Sequence, residues 1–311
     1  MDKNARETNS RIGKRIKLSK EAVAYRVRRL QKRGIIDYFQ VLIDATKLGL
    51  MNFRIYVKLK DASERKREEI QKHLIESGDV WWIALVSGNW DLDFCIWAKD
   101  VYHFQEIWEK LIGEYKKYFE RDRISIYTYL EHLPQDYLFG KREPRFQNRI
   151  MGGTERVEVD KLDLKLLQAL AGSARATWVE LAEKLGVSEK VIAYRMKGLE
   201  KKKVIFGYRC LVDLERLGFS HYKVDLLLND LGSKEEIQNY LRHDPAVMYI
   251  DSTYPSSDVE FDPICRSFYE FQELMNRILN KFGDSIRSYE YLIAAKELKM
   301  SHCPKSLPAP K

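Results

Sequence analysis

The chain has 311 residues, with 54 Lys and Arg against 46 Asp and Glu and a formal net charge of +8. No apolar run approaches the roughly 20 residues that span a bilayer, and the opening MDKNARETNS lacks the apolar stretch of a secretory signal. Cys95, Cys210, Cys265 and Cys303 are scattered without a CxxC spacing, which argues against a disulfide or zinc framework and for a reduced, cytoplasmic setting.

Hydrophobic content of 45% and aromatic content of 12% suffice for packed cores. The length accommodates two to four domains. A sequence pI near 9.1 suits a polyanionic partner.

Residues 2–33 are densely basic, with Lys3, Arg6, Arg11, Lys14, Arg15, Lys17, Lys20, Arg26, Arg28, Arg29, Lys32 and Arg33 set against Asp2, Glu7 and Glu21. Ser19–Arg33 reads as one helix. Val23, Val27 and Leu30 fall at i, i+4 and i+7, one buried stripe, while Arg26, Arg29 and Arg33 share another face. Gly34 stops the helix and Tyr38–Ile43 reads as a strand.

Residues 52–129 change character. Asn52–Leu59 alternates like a half-buried strand, Ser63–Ser77 is helical, and Val80–Val86 is a fully apolar strand. A turn at Ser87-Gly88-Asn89 leads to a strand at Asp91–Ala98, a helix at Val101–Tyr118 and a strand at Arg123–Tyr129. The order is the split βαββαβ arrangement of ferredoxin-like domains. Residues 133–158, with adjacent Gly and mixed charge, read as an exposed linker.

The second half repeats the first. Leu162–Leu170 is a helix, Thr177-Trp178-Val179-Glu180 is a capping box opening another, and Gly186 ends it. SEKVIAYRMKGLEKKKVI at 188–205 then matches SKEAVAYRVRRLQKRGII at 19–36, an offset of 169 (188 minus 19). Phe206–Val212 is a strand, followed by a second βαββαβ order: Tyr222–Leu228, Ser233–His243, Val247–Thr253, Asp258–Ile264, Ser267–Phe282 and Ile286–Leu292. Phe271-Gln272-Glu273 matches Phe104-Gln105-Glu106 at an offset of 167 (271 minus 104), so two residues are deleted in between. The last residues, 298–311, read as a disordered tail.

The capped helix, tight Gly turn and basic helix of 160–205 form a helix-turn-helix pattern. Joined to a βαββαβ unit carrying GNWDLDF, they resemble the Lrp/AsnC (feast/famine) transcriptional regulators. The resemblance covers nearly the whole chain as two fused copies. It implies an α+β fold of two winged helix-turn-helix domains, each followed by a ferredoxin-like βαββαβ domain. The boundaries expected are 1–44 and 159–213 for the winged domains, and 50–132 and 219–297 for the βαββαβ domains. It further implies a regulator that binds double-stranded DNA, a homo-oligomer formed through the βαββαβ domains, and a small effector such as an amino acid near the Gly-Asp turn. It implies no membrane association, no cofactor and no catalysis. Siroheme decarboxylases share the architecture, and a module that has lost DNA binding is a further alternative. The decarboxylase reading expects His after the recognition helix, and neither DYFQVLIDATKLGL nor GYRCLVDLERLGF contains one.

The copies depart from each other. Met1 aligns with Leu170, so the first helix has no counterpart in copy one; a mis-assigned start or a reduced, dependent unit would each account for this. Gly13 stands for Ala182, a substitution that weakens a helix interior, and Lys17 stands for Gly186. The turn Gly88-Asn89-Trp90-Asp91 becomes Pro255-Ser256-Ser257-Asp258, which places the effector residues Gly88, Trp90 and Asp91 in copy one only.

DNA contacts are expected from Ser19, Lys20, Glu21, Tyr25, Arg26, Arg28 and Arg29, and from Ser188, Glu189, Lys190, Tyr194, Arg195 and Lys197. Residues at the helix starts would read bases and the basic residues would hold phosphates. A solvated helix surface is the plain alternative, and the two Tyr could instead pack on the sheet. Asp91 with Asp93, and Asp258 with Glu260, share strand faces, but no His stands near them in the chain to complete a metal site.

Overall fold

The computed structural model describes residues 2–142, 149–301 and 303. In copy one the elements are α1 (Asn9–Ile16), α2 (Lys20–Lys32), β1 (Ile36–Ile43), β2 (Met51–Leu59), α3 (Glu64–Glu76), β3 (Val80–Ser87), β4 (Leu92–Ala98), α4 (Val101–Ile112), β5 (Phe119–His132) and β6 (Arg149–Gly152). Copy two follows with α5 (Lys161–Gly172), α6 (Trp178–Leu185), α7 (Glu189–Lys201), β7 (Ile205–Val212), β8 (Ser220–Leu228), α8 (Lys234–His243), β9 (Val247–Tyr254), β10 (Ser257–Cys265), α9 (Phe268–Phe282) and β11 (Ile286–Met300). The fold is α+β, with a winged helix-turn-helix ahead of each βαββαβ segment.

The chain sorts into two compact units that each draw on both copies. One gathers residues 2–44 and 157–219, the other residues 45–156 and 220–303. In the first unit β1 and β7 pair antiparallel, with Ile36 opposite Val212, Gln40 opposite Arg209 and Ile43 opposite Ile205. At the repeat offset of 169, Gln40 faces its own repeat mate, so a local two-fold runs through that pair and relates the two lobes. The segment ahead of α1 rests on copy two. The Ala5 N–H donates to the Tyr208 carbonyl (3.2 Å), and the Arg6 guanidinium donates to the Ala174 and Ala176 carbonyls (2.5 and 2.8 Å).

Gly13 is not a weak point. A methyl group there would collide with the Leu18 carbonyl oxygen, so the tight α1–α2 turn requires glycine, and Lys17 takes the left-handed conformation (φ 56°) that Gly186 takes in copy two (φ 68°).

In the second unit the strands form one nine-stranded sheet among the described residues, ordered β2-β4-β3-β11-β8-β10-β9-β5-β6, and β2 also pairs with β5. All but β6 therefore close into a barrel. Two long strands stitch the copies together. β5 pairs with β2 from Leu59–Phe119 to Asn52–Tyr127, then with β9 as far as His132–Tyr249. β11 pairs with β8 up to Ala294–His221, then with β3 up to Met300–Trp82. One side of each strand faces the helices. Phe53, Ile55, Val57 and Phe94 pack there with Ile70, Leu74 and Leu111, and Val224, Leu226 and Phe261 pack with Ile237, Leu241, Phe271 and Ile278. The alternate positions carry Arg54, Asp93, Lys223, Asp251, Glu260 and Asp262, and these too are buried.

Three expectations need correction. Residues 133–158 are not an exposed linker: Leu133, Tyr137 and Met151 are buried, β6 extends the sheet along β5, and Arg142 donates to the Pro134, Asp244 and Val247 carbonyls. Residues 143–148 lie outside the described residues. The helix expected over 101–118 stops at Ile112, capped at Gly113, with a short 3-10 turn at Lys116–Tyr118. The tail expected from 298 begins as strand, because β11 runs to Met300 against β3 and the Ser301 N–H donates to the Trp81 carbonyl (2.7 Å); residues 302 and 304–311 lie outside the described residues.

Candidate nucleic-acid interface

The helices α2 and α7 are built alike. Each starts at a Ser whose hydroxyl accepts a backbone N–H, Ser19 from Ala22 (3.0 Å) and Ser188 from Val191 (3.4 Å), which spends both hydroxyls on capping. The buried stripe is Val23 in α2, and Ile192, Met196 and Leu199 in α7. The opposite faces are open. Tyr25 is 61% exposed and Tyr194 76%, so neither packs on a sheet. Lys20, Glu21, Arg26, Arg28 and Arg29 are exposed, as are Glu189, Lys190 and Lys197, and none of these side chains is ion-paired among the described residues.

Arg195 differs from its mate Arg26. Its guanidinium is half-buried against the α5 start, 2.5 Å from Asp160 and 3.4 Å from Asp163. Asp160 sits below the usual carboxylate range because the Asp163 N–H and Arg195 both donate to it. Arg26 makes no ion pair among the described residues.

The Gly88–Asp91 turn is shaped by backbone needs. Gly88 has a φ of +132°, open only to glycine in practice. The Asp91 carboxylate accepts the Leu59 N–H (2.8 Å) and pairs with Lys58 (3.2 Å). Asp258 accepts the Leu228 N–H (2.7 Å) in the same way, which explains why this Asp is the one residue that both turns retain. β4 begins at Leu92, one residue after Asp91, so Asp91 and Asp93 do not share a strand face.

Trp90 is turned inward. It stacks on Tyr56 (5.7 Å between ring centres), with Arg121 and Arg123 over its face at 4.9 and 5.5 Å. Beside it lies a shallow recess lined by Asn89, Trp90 and Arg123 of copy one and by Lys223, Asp225, Glu290, Tyr291 and Leu292 of copy two. Of the three turn residues expected to bind an effector, only Trp90 lines it. Arg123 donates to Asp225 across the recess (2.7 Å), and burial with the nearby Glu260 pushes the Asp225 carboxyl up to about 6.

Sequence reasoning missed the charge cluster inside the barrel. Arg54 donates through Nε and Nη2 to Asp93 (3.1 and 2.9 Å) and through Nη1 to Glu260. Asp93 and Glu260 are repeat mates (offset 167), so one guanidinium bridges the same position of both copies. Lys223, the mate of Arg54, pairs with Asp262 (2.8 Å), which also accepts a hydrogen bond from His221 Nε2 (2.8 Å). Asp262 is held well below the usual range: Lys223 and His221 outweigh its burial. Asp251 is pushed well above it by burial and by Asp262. The signal available in the sequence was the alternation of polar and charged residues with apolar ones in β8 and β10, as in His221, Lys223 and Asp225 and in Asp258, Glu260 and Asp262. Cys95 and Cys265 are buried thiols raised by desolvation, Cys265 to about 12.

The family profile of the AsnC-type helix-turn-helix domain matches residues 159–200, and that of the winged helix-turn-helix DNA-binding domain matches residues 1–37. The HTH-type transcriptional regulator Ptr1 of Methanocaldococcus jannaschii is 28% identical over 121 residues, 39% of this chain and 79% of that protein. An uncharacterized HTH-type transcriptional regulator of Pyrococcus furiosus is 30% identical over 124 residues, 40% of this chain and 79% of its own length. The leucine-responsive regulatory protein of Rhizobium meliloti is 44% identical over 64 residues, and the chain spans 41% of it. Among solved structures, the siroheme decarboxylase NirDL matches 96% of this chain and 89% of its own with a TM-score of 0.62 at 13% identity, a likeness of fold across both copies. Each regulator aligns with less than half of this chain, as a single-copy relative does with a tandem one. The chain belongs to the Lrp/AsnC family of transcriptional regulators, with the family unit carried twice.

Proposed function

We propose that the chain is a sequence-specific regulator that offers α2 and α7 to the major groove of double-stranded DNA. The observation that carries this reading is two capped, exposed, basic helices related by the local two-fold at Gln40 and Arg209. A two-fold arrangement of recognition helices suits the two half-sites of an operator. Lys20, Glu21, Tyr25, Arg26, Glu189, Lys190 and Tyr194 face the bases, while Arg28, Arg29 and Lys197 hold phosphates. Ser19 and Ser188 act through their caps, and Arg195 is held back by its acids.

The domain plan that goes with this is 1–44 and 159–213 for reading DNA, and 50–132 and 219–297 for sensing and assembly. A small zwitterion such as an amino acid fits the chemistry of the Trp90 recess, where Arg123 and Lys223 suit a carboxylate and Asp225 and Glu290 suit an ammonium. Chains then associate further through the βαββαβ segments. Decarboxylation is not favoured, because fold likeness does not transfer chemistry and residues 37–50 and 207–219 contain no His.

An electrophoretic shift tests the reading. Wild-type protein binds duplex DNA, and a variant with Lys20, Arg26, Arg28, Lys190, Tyr194 and Lys197 all changed to Ala does not. Undiminished binding by that variant refutes it. Calorimetric titration with single amino acids, compared with a Trp90→Ala variant, tests the effector site. A tetrapyrrole absorbance titration tests the decarboxylase reading.

A further inference from the structure

The lobes are symmetric in place and unlike in content. The Gln40–Arg209 two-fold sets α2 and α7 in equivalent positions on one unit. Several of their exposed side chains differ at equivalent positions. Lys20-Glu21 faces Glu189-Lys190, which exchanges the sign of charge at each of the two places nearest the helix start. Arg28 and Arg29 correspond to Lys197 and Gly198. Arg26 projects without an acid partner, whereas Arg195 is tied to Asp160 and Asp163. Tyr25 and Tyr194 are alike and open, as are Ser19 and Ser188 at the helix starts and Lys32 and Lys201 at the helix ends.

We infer that one chain reads a single non-palindromic operator, made of two unlike half-sites in two-fold-related positions. The inference rests on the DNA-binding reading above and adds the class of site. A homodimer must present the same helix twice, so its preferred operator is a palindrome. A fused pair carries no such constraint. Donors and acceptors at the helix start face base edges, so exchanging Lys-Glu for Glu-Lys exchanges which edge is matched at each place. Arg also differs from Lys here, because a guanidinium can grip guanine with two hydrogen bonds and an ammonium cannot. The first lobe, with Arg26, Arg28 and Arg29 all unpaired, takes the half-site richer in such contacts. The second, with its Arg neutralised, takes one read through Lys190, Lys197 and Tyr194.

The test is selection from a random duplex pool by the full chain at fixed salt, with a variant in which the second helix is given the first helix's surface. That variant is Glu189→Lys, Lys190→Glu, Lys197→Arg; all three positions are exposed, so the lobe's core is untouched. Wild type is expected to enrich a motif with two different halves and to prefer it over either palindrome by at least roughly tenfold, the scale of a single mismatched base pair. The variant is expected to change only the half read by α7, moving it toward the half read by α2. A palindrome enriched by wild type overturns the inference, as does a variant that selects the wild-type motif unchanged. If wild type retains no DNA at all, the DNA-binding reading itself fails, an outcome distinct from retention of a palindrome.

Discussion

Arg54→Met should be the most costly single substitution in the barrel. Arg54 is 1% exposed, and the side chains it joins, Asp93 and Glu260, are 0% and 3% exposed. The variant keeps an unbranched apolar stem and removes every donor to both carboxylates. Breaking a buried pair by removing one partner costs about 3–5 kcal/mol, because a charge stays behind without water or a counter-charge. Two carboxylates are stranded here, but Lys223 lies 4.0 Å from Asp93, and Ser257 and Thr253 donate hydroxyls to Glu260. These partners place the cost near the low end, about 3 kcal/mol. Urea unfolding at pH 7, followed by Trp fluorescence, reads it well, because Trp81, Trp82 and Trp97 are buried in this unit. Adding Asp93→Asn and Glu260→Gln should restore more than half of the loss, since no buried charge remains at either position. A loss below about 1 kcal/mol at pH 7, or no recovery in the triple variant, refutes the reasoning.

Gly13→Ala should destabilise the first lobe by about 1–3 kcal/mol through overpacking against Leu18, measured as faster amide exchange in α1 and α2. Lys17→Gly should do the reverse by up to about 1 kcal/mol in the same assay, by relieving a left-handed non-glycine. Asp160→Asn with Asp163→Asn keeps a cap but frees Arg195; the slope of log affinity for DNA against log salt should steepen by about 0.9, one added phosphate contact. Asp225 has a folded pKa near 6, above its ordinary 3.8, so barrel stability should fall as pH rises through about 6, and Asp225→Asn should flatten that fall in urea midpoints from pH 5 to 7.5.

The local grammar of this chain was legible. Ser19, Ser188 and the Thr177–Glu180 box mark helix starts, and the apolar stripes mark buried faces, because both act within a few residues of chain. The elements whose form is decided at long range were not. β5 and β11 look short in sequence because their second halves carry Tyr127, Glu131, Lys296 and Glu297, and become strand only when the other copy supplies β9 and β3. The interior charge cluster was hidden for the same reason: Arg54 finds Glu260 across 206 residues. Gly13 and Asp91 show the limit at single positions. Gly13 looks like a helix defect until Leu18 folds back over it, and Asp91 looks like a ligand until the Leu59 N–H arrives. The exposed Tyr25 and Tyr194 could be placed on α2 and α7, but which way each pointed was settled by Val23 and Ile192 going inward.

The crossing of β5 and β11 between the copies has a bearing on dosage. When two separate chains must meet to pair their helices, the active species grows with the square of concentration at low abundance and vanishes on dilution. Here the pairing is internal, so the number of paired helices follows the number of chains to the first power. On the DNA-binding reading proposed above, a falling supply of chains then lowers operator occupancy in proportion instead of switching it off.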